Sequence, residues 1–309
     1  MTLIKLGFLV ILFAMFGCGD PTSDKELNER PSVISFDVFE DDSTIAVLTC
    51  KRGTYTVAVH HINSRSKRVV YESAEDEMIL NIDISPDEER ILLTTTKESN
   101  YTSSTLKVIN LKKPSVISLP IKDYILIKAE FVAFQNQIVM LMAKEINHYS
   151  PIASDLPHNY DFYLINLSDS SINRISNLKA YNITDICFYS GALYFNRDFE
   201  GPYKINYDGT TSSFTNNGRC SVLKSTMDCG SFYIRHNELY YTNSGGYTIF
   251  RYDMKTRTNE KVLQVNFQIS NLRPALNPNE ILFLKYDKRA IHKLYINEGK
   301  IKRLDLDYF

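Results

Sequence analysis

The chain contains no tryptophan and only 12 glycines and 10 prolines among its 309 residues. So small a share of both excludes a collagen-like repeat and a low-complexity, disordered chain. There is no surplus of charge either, since 35 basic residues face 36 acidic ones. A chain without a basic excess is not built to track the phosphates of a nucleic acid. Long apolar runs are missing beyond the first twenty residues. No Cys-x-x-Cys pair offers a zinc ribbon or a thioredoxin-like site. No Gly-x-Ser-x-Gly elbow, Walker loop or dinucleotide glycine pattern occurs, and no Ser-His-Asp triad assembles from spacing. Nothing therefore predicts a catalytic residue, a metal or a cofactor.

What is present points to strands. Phenylalanine and tyrosine number 17 and 20, and 44% of the residues are hydrophobic. Aromatic residues favour pleated, half-buried surfaces. The length would ordinarily suggest two domains, but propellers often use this much chain for one. It is also enough to bury a sizeable core.

The amino terminus reads as an address. Lys5 precedes the apolar run Leu6–Phe16, which ends at Gly17-Cys18. One positive charge, a short apolar core and a small residue before the cut describe a secretory signal. The run is shorter than the roughly 20 apolar residues a membrane span needs. Ala14, Met15, Phe16, Gly17 and Cys18 resemble the bacterial lipobox, whose cysteine is acylated and becomes the mature amino terminus. Several acyl chains anchor durably where one does not. The resemblance implies a signal peptide over 1–17 and, over 18–31, a lipidated Cys18 with a polar, proline-bounded tether. Gly19, in place of Asp, is similar to lipoproteins released to the outer membrane. Export permits disulfides. Cys220 and Cys229 flank a loop-like stretch and are the expected pair, whereas Cys50 and Cys187 sit in apolar strands and read as buried thiols.

A repeat fills the remainder. A strand residue followed eight positions later by an apolar one recurs at Asp37/Ile45, Asp83/Ile91, Glu130/Ile138, Asp185/Leu193, Ser231/Leu239 and Arg273/Ile281. A second anchor follows each, at Ile62-Asn63, Ile109-Asn110, Ile165-Asn166, Ile205-Asn206, Tyr252-Asp253 and Ile296-Asn297, then a polar turn and another alternating run. Each unit thus holds four short strands in about 45 residues, the blade pattern of a propeller. The fold class predicted is all-β: a six-bladed β-propeller of four-stranded blades over 32–309. The bland alternative, a β-sandwich, would not repeat two independent anchors in fixed order.

Ile84-Ser85-Pro86-Asp87 with Arg90-Ile91-Leu92-Leu93 resembles the repeat of TolB-like propellers and of prolyl-oligopeptidase relatives. Leu239-Tyr240-Tyr241-Thr242 with Ile249–Asp253 is similar to the YWTD-type repeat, with Tyr241 in place of Trp. This resemblance implies a fold; fold alone implies no activity.

Two groups of residues carry candidate chemistry. Asp37, Asp83, Glu130 and Asp185 share a repeat position on the innermost strands and could ring the central channel, where oxygen ligands suit a hard cation. The alternative is that each carboxylate caps a main-chain amide or pairs with a neighbouring blade. The second group lies on the links between second and third strands. Lys144–Tyr160 is the longest link and carries His148, Tyr149, His158 and Tyr160. Its counterparts contribute Tyr101, Arg197, Tyr203 and Tyr247, besides Arg52, Tyr55, Lys288 and Arg289. Tyrosine and arginine in such loops match the composition of binding hot spots. The histidines have no metal-ligand spacing; His60 and His61 point to opposite faces of one strand. The expectation is a lipid-anchored, monomeric, non-enzymatic binding or scaffold module of the bacterial envelope. Its partner would be an envelope protein, a peptide or a carbohydrate. A lyase or glycosidase using channel carboxylates is the alternative.

Overall fold

A computed structural model describes residues 31–41, 43–97, 100–132, 136–147, 156–180, 183–197, 202–207, 212–214, 229–243, 245–275, 277–285, 290–304 and 306. The signal peptide, Cys18, His148, Tyr149 and Cys220 lie outside these residues, and with Cys220 the expected disulfide to Cys229. For Tyr101 and His158 only the backbone, in strands, is described.

The described residues form six four-stranded antiparallel sheets. Blade 1 holds β1 (Ser32–Val38), β2 (Thr44–Lys51), β3 (Thr54–His61) and β4 (Ser66–Glu72); blade 2 holds β5 (Glu77–Ile84), β6 (Arg90–Lys97), β7 (Asn100–Asn110) and β8 (Ser115–Ile121). Blade 3 is β9 (Ile125–Phe131), β10 (Gln137–Asn147), β11 (Leu156–Asn166) and β12 (Ile172–Arg174); blade 4 is β13 (Ile183–Tyr189), β14 (Ala192–Arg197), β15 (Pro202–Tyr207) and β16 (Ser212–Phe214). Blade 5 comprises β17 (Cys229–Arg235), β18 (Glu238–Asn243), β19 (Thr248–Asp253) and β20 (Thr258–Gln264); blade 6 comprises β21 (Ile269–Pro274), β22 (Glu280–Lys285), β23 (Ile291–Tyr295) and β24 (Lys300–Arg303). The one helical turn among the described residues is a 3-10 turn at Ile296–Glu298. The chain is a six-bladed β-propeller.

Both sequence anchors have local causes. In the Ser-Pro-Asp turn, Arg90 N–H donates to Ser85 Oγ at 2.9 Å and Glu89 N–H to Asp87 Oδ1 at 3.1 Å. The Asn or Asp closing the third strand captures the amides of the turn that follows. Lys112 and Lys113 donate to Asn110 Oδ1, and Lys255 and Thr256 to Asp253 Oδ1, at 2.7–3.0 Å. Such side-chain turns are what Asn and Asp supply.

Second strands are buried almost throughout, as in β6 and β14, whereas fourth strands such as β4 and β8 are largely exposed. Each apolar cluster lies between two neighbouring blades, so the core is divided among the seams. At the seam of blades 3 and 4, the ring of Phe162 meets Phe195 edge-on at 4.9 Å and Tyr203 stacks on Phe195 at 5.6 Å. At the seam of blades 6 and 1, Phe36, Ile45 and Val47 meet Leu282, Leu284 and Ile291, with Leu304 and Leu306 packed against them. Burying one such side chain contributes about 1.5–3 kcal/mol. Among the described residues every sheet consists of four consecutive strands, and no blade borrows a strand from another. Between blades 6 and 1 these residues meet by packing and side-chain bonds.

The long link of the third unit is shorter than expected. Strand β10 runs to Asn147 and β11 starts at Leu156, pairing Ala143 with Tyr160. Tyr160 is therefore a core residue at 7% exposure, packed with Phe162 and Phe195, and not a loop tyrosine. Tyr203 is also buried in that seam. Alternation explains both, since residues extending a strand inherit its inward face.

Candidate functional site in the central channel

The first strands of the blades touch in the cyclic order β1, β5, β9, β13, β17, β21 and back to β1, enclosing the axis. One position per strand faces the next blade. It is fixed by pairing: Asp37 opposes Ala46, Asp83 opposes Leu92, and Glu130 opposes Val139. The residues at the same rung of blades 4, 5 and 6 are Cys187, Tyr233 and Arg273, opposite Tyr194, Tyr240 and Leu282. Asp185 and Ser231, which equal spacing placed on this rung, stand two residues earlier. The cause is a shorter hairpin. Blades 4 and 5 turn over two residues, Ser190-Gly191 and His236-Asn237, all four at φ between 48° and 74°. That is the signature of a tight hairpin turn. Counting back from these turns, instead of eight places from an apolar residue, would have found Cys187 and Tyr233.

The rung is a chain of inter-blade bonds. Ile84 N–H donates to Asp37 Oδ2 at 3.0 Å, Phe131 N–H to Asp83 Oδ2 at 2.7 Å, and Phe188 N–H to Glu130 Oε2 at 3.1 Å. The main-chain N–H of Ile234 donates to the Cys187 sulfur. In each case the donor follows the next blade's own rung residue. The pattern stops at blade 6, because Pro274 follows Arg273 and has no N–H. There the Arg273 guanidinium lies over the Tyr233 ring, 4.7 Å from its centroid. Arg273 closes the circle, donating from Nε to Asp37 Oδ1 at 2.9 Å.

A second polar tier sits two residues earlier, at Ser35, Asn81, Lys128, Asp185, Ser231 and Asn271. The pairing of each inner strand with its neighbour shifts register beside this tier. Bulges re-aim side chains in this way. Lys128 Nζ donates to Asp185 Oδ1 at 2.6 Å and to the Ile186 carbonyl at 3.2 Å, and pairs with Glu130 at 3.2 Å. Asp185 Oδ2 also accepts from Ser231 Oγ and Phe232 N–H, each at 3.2 Å. Asn271 Nδ2 donates to Ser35 Oγ and to the Phe36 carbonyl, tying blade 6 to blade 1.

Burial and like charge set the protonation. Asp83 is held well above the usual carboxylate range, first by burial and then by Glu130 and Asp37. Burial also pushes Glu130 up, against the pull of Lys128 and Arg273. For Lys128, burial acts to lower the pKa, but Asp185 and Glu130 carry it above its ordinary value. Burial pushes up the Cys187 thiol, with Glu130 adding to it. The channel is therefore a mesh of four carboxyl groups and two cations, in which Asp83 is the carboxyl that burial and like charge push furthest toward its neutral form. Among the described residues no three of His, Cys, Asp and Glu converge as a metal-binding group.

The loop candidates are dispersed. Tyr247 is exposed at 46%, held by a turn in which its N–H donates to Asn243 Oδ1 at 2.8 Å. Arg197 ends β14 and is half-buried. Burial, then Lys67 and His61, lowers the pKa of His60 to about 4. Cys50 and Cys187 are buried and belong to no disulfide.

No family model and no curated protein matches the sequence. Solved structures do share the fold. The propeller domain of the Trilobed protease from Pyrococcus furiosus, described as having an open velcro topology, aligns over 88% of this chain and 84% of its own at 14% identity, with a TM-score of 0.55. An oligogalacturonate lyase in complex with manganese aligns over 89% of this chain and 77% of its own at 12% identity, with a TM-score of 0.58. An acylaminoacyl peptidase reaches 14% identity and a TM-score of 0.56 over 88% of this chain, which spans only 45% of that one. At such identities the likeness concerns the fold alone.

Proposed function

We propose that the chain is a non-enzymatic, TolB-like propeller of the bacterial envelope. In this reading acylated Cys18 anchors it, at the outer membrane where the organism has one, and its loops bind an envelope protein or peptide. The observation that carries the reading is the engagement of the axial carboxylates. Asp37, Asp83, Glu130 and Asp185 each accept a main-chain N–H from the next blade. Recruiting one of them as a catalytic acid or base would uncouple two blades. Recognition then falls to the loops, since blade strands are committed to packing. Tyr247 is the best-placed described residue, offering contact area at low entropy cost.

Crosslinking and pull-down from native envelopes test this. One partner should be captured reproducibly, and Tyr247→Ala combined with Tyr149→Ala should weaken its capture at least tenfold, about 1.4 kcal/mol. Capture by the double variant equal to wild type would place the binding face elsewhere. Cys18→Ser should abolish partitioning into detergent; unchanged partitioning and mature size would sink the anchor.

The second reading is a channel enzyme of the lyase or glycosidase type, and the upward shift of Asp83 favours it. A carboxyl that burial and like charge make harder to ionise is the kind of group a general acid uses. The oligogalacturonate lyase and the peptidase among the neighbours suit this reading as well as a scaffold does. Cleavage of acidic oligosaccharides by the purified chain, lost in Asp83→Asn, would replace the first reading with the second.

A further inference from the structure

The outer rim carries a charge pattern that neither the blade seams nor the channel requires. In blades 6, 1 and 2, which are consecutive around the ring, the fourth strands and the turns before them present Lys300, Lys302, Arg303, Lys67, Arg68 and Lys113 as exposed residues. Those same stretches hold Glu72 and Glu298 as their acids. Blade 3 differs: its Arg174 is paired with Asp161, and Asp169 stands in the preceding turn. Blade 5 continues the basic arc, with Lys255, Arg257 and Lys261 exposed against Glu260, but within the arc the exposed aliphatic side chains stand on blades 1 and 2.

Apolar side chains stand among these cations. Val69 on β4 is 51% exposed, and Val116 and Ile117 on β8 are 45% and 55% exposed. Arg68 Nη1 donates to the Leu111 carbonyl at 3.1 Å, joining β4 to the turn that leads into β8, so the two blades present one surface. Lys112, in that turn, is paired with the exposed Glu89 and adds little net charge. Cations flanking exposed β-branched residues suit an anionic lipid surface, with phosphates at the charges and the side-chain methyls at the acyl boundary.

The position of the tether favours the same occupant. In sequence, the stretch 19–31 leads into β1 of blade 1, which lies within the basic arc and carries Val69. Thirteen residues reach at most about 45 Å. We infer that the rim of blades 6, 1 and 2 docks on the anionic lipid surface to which Cys18 ties the chain. This inference rests on the lipid-anchor reading above. Anchored this way, the propeller lies on its side, and the loops that carry Tyr247 face along the membrane.

The test uses the lipidated full-length protein with an environment-sensitive dye on Ile117→Cys, and on Ile172→Cys of the blade 3 rim as a control of similar exposure. Unsubstituted protein carried through the same labelling gives the background. The probes are vesicles of phosphatidylcholine alone and of phosphatidylcholine with 30% phosphatidylglycerol. At position 117 the dye should brighten and shift to the blue by at least twofold in intensity in the anionic vesicles, and return toward its aqueous value at high salt. At position 172 it should not respond. The triple variant Lys67→Glu, Lys113→Glu, Lys302→Glu should lose the response at 117 while remaining vesicle-bound through its lipid. Equal responses at 117 and 172, or a response indifferent to phosphatidylglycerol, would overturn the inference. A response at 117 that needs an added envelope extract would assign the rim to a protein instead, and also overturns it. If the chain proves not to be acylated, the anchor fails separately. Unlipidated protein added to the same vesicles then decides: sedimentation that requires phosphatidylglycerol and is lost in the triple variant supports the rim, and none refutes it.

Discussion

The two halves of the axial rung solve one problem with different chemistry. In blades 1 to 3, Asp37, Asp83 and Glu130 each catch an amide of the next blade. In blades 4 to 6 the same rung holds a thiol, a phenol ring and a guanidinium. The acidic arc gains an inter-blade bond at each carboxyl but crowds these groups together in a poorly solvated space. Cys187 accepts an amide without adding charge, and Arg273 supplies a cation that offsets the first arc. An acceptor in a propeller channel can thus be structural, and its acidity says little about chemistry until its donors are known.

The largest effect should come from Arg273→Leu, which leaves Asp37 buried without its cation. Loss of one partner of a buried pair costs about 3–5 kcal/mol. A denaturant midpoint measures it, and adding Asp37→Asn should restore part of the loss. Recovery of nothing would show that packing against Tyr233, and not charge, was what Arg273 contributed.

Lys128→Met should come next, at about 2–3 kcal/mol near neutral pH. It leaves Glu130 and Asp185 without the cation between them, so the deficit should shrink as the pH falls and Glu130 takes up a proton. A deficit that ignores pH would break the account of Lys128 as a bridge between carboxylates.

The smallest effect belongs to Asp83→Asn, and its sign is informative. A carboxyl whose folded pKa exceeds its unfolded value loses stability as pH rises through the interval between the two. Asn keeps an acceptor for Phe131 N–H and carries no charge. The variant should therefore match wild type at pH 4 and exceed it at pH 8, by about 1 kcal/mol or less. Thermal melts at both pH values would show this, and a variant weaker at pH 8 would mean that Asp83 is ionised in the fold.

Much of the architecture was legible because turn chemistry is local. Ser85-Pro86-Asp87, Asn110 and Asp253 each hold their own turn, so their residue types mark strand ends directly. The site was legible only in part. Fixed spacing found Asp37, Asp83, Glu130 and Arg273 but passed over Cys187 and Tyr233, because a hairpin two residues shorter moves the rung without disturbing the apolar period. Lys128 and Asn271 were missed for a different reason. Their roles arise from the register shift beside them, and no residue type announces a bulge. Tyr160 was misplaced because an extension of strand pairing looks, in sequence, like a loop rich in polar residues.

Blade 1 is made first and finished last. Asp37 and Arg273 are 236 residues apart. Because each described sheet uses four consecutive strands, a chain emerging from its amino end can form sheets one after another. Yet Asp37 has no counter-charge, and Phe36 and Ile45 have no cover, until the last blade arrives. Contacts so distant in sequence are slow to form and leave apolar surface open to aggregation meanwhile. A nascent chain halted before residue 273 would be an arc with two sticky ends, so this protein can cover those ends only when the length of its whole ring has been made.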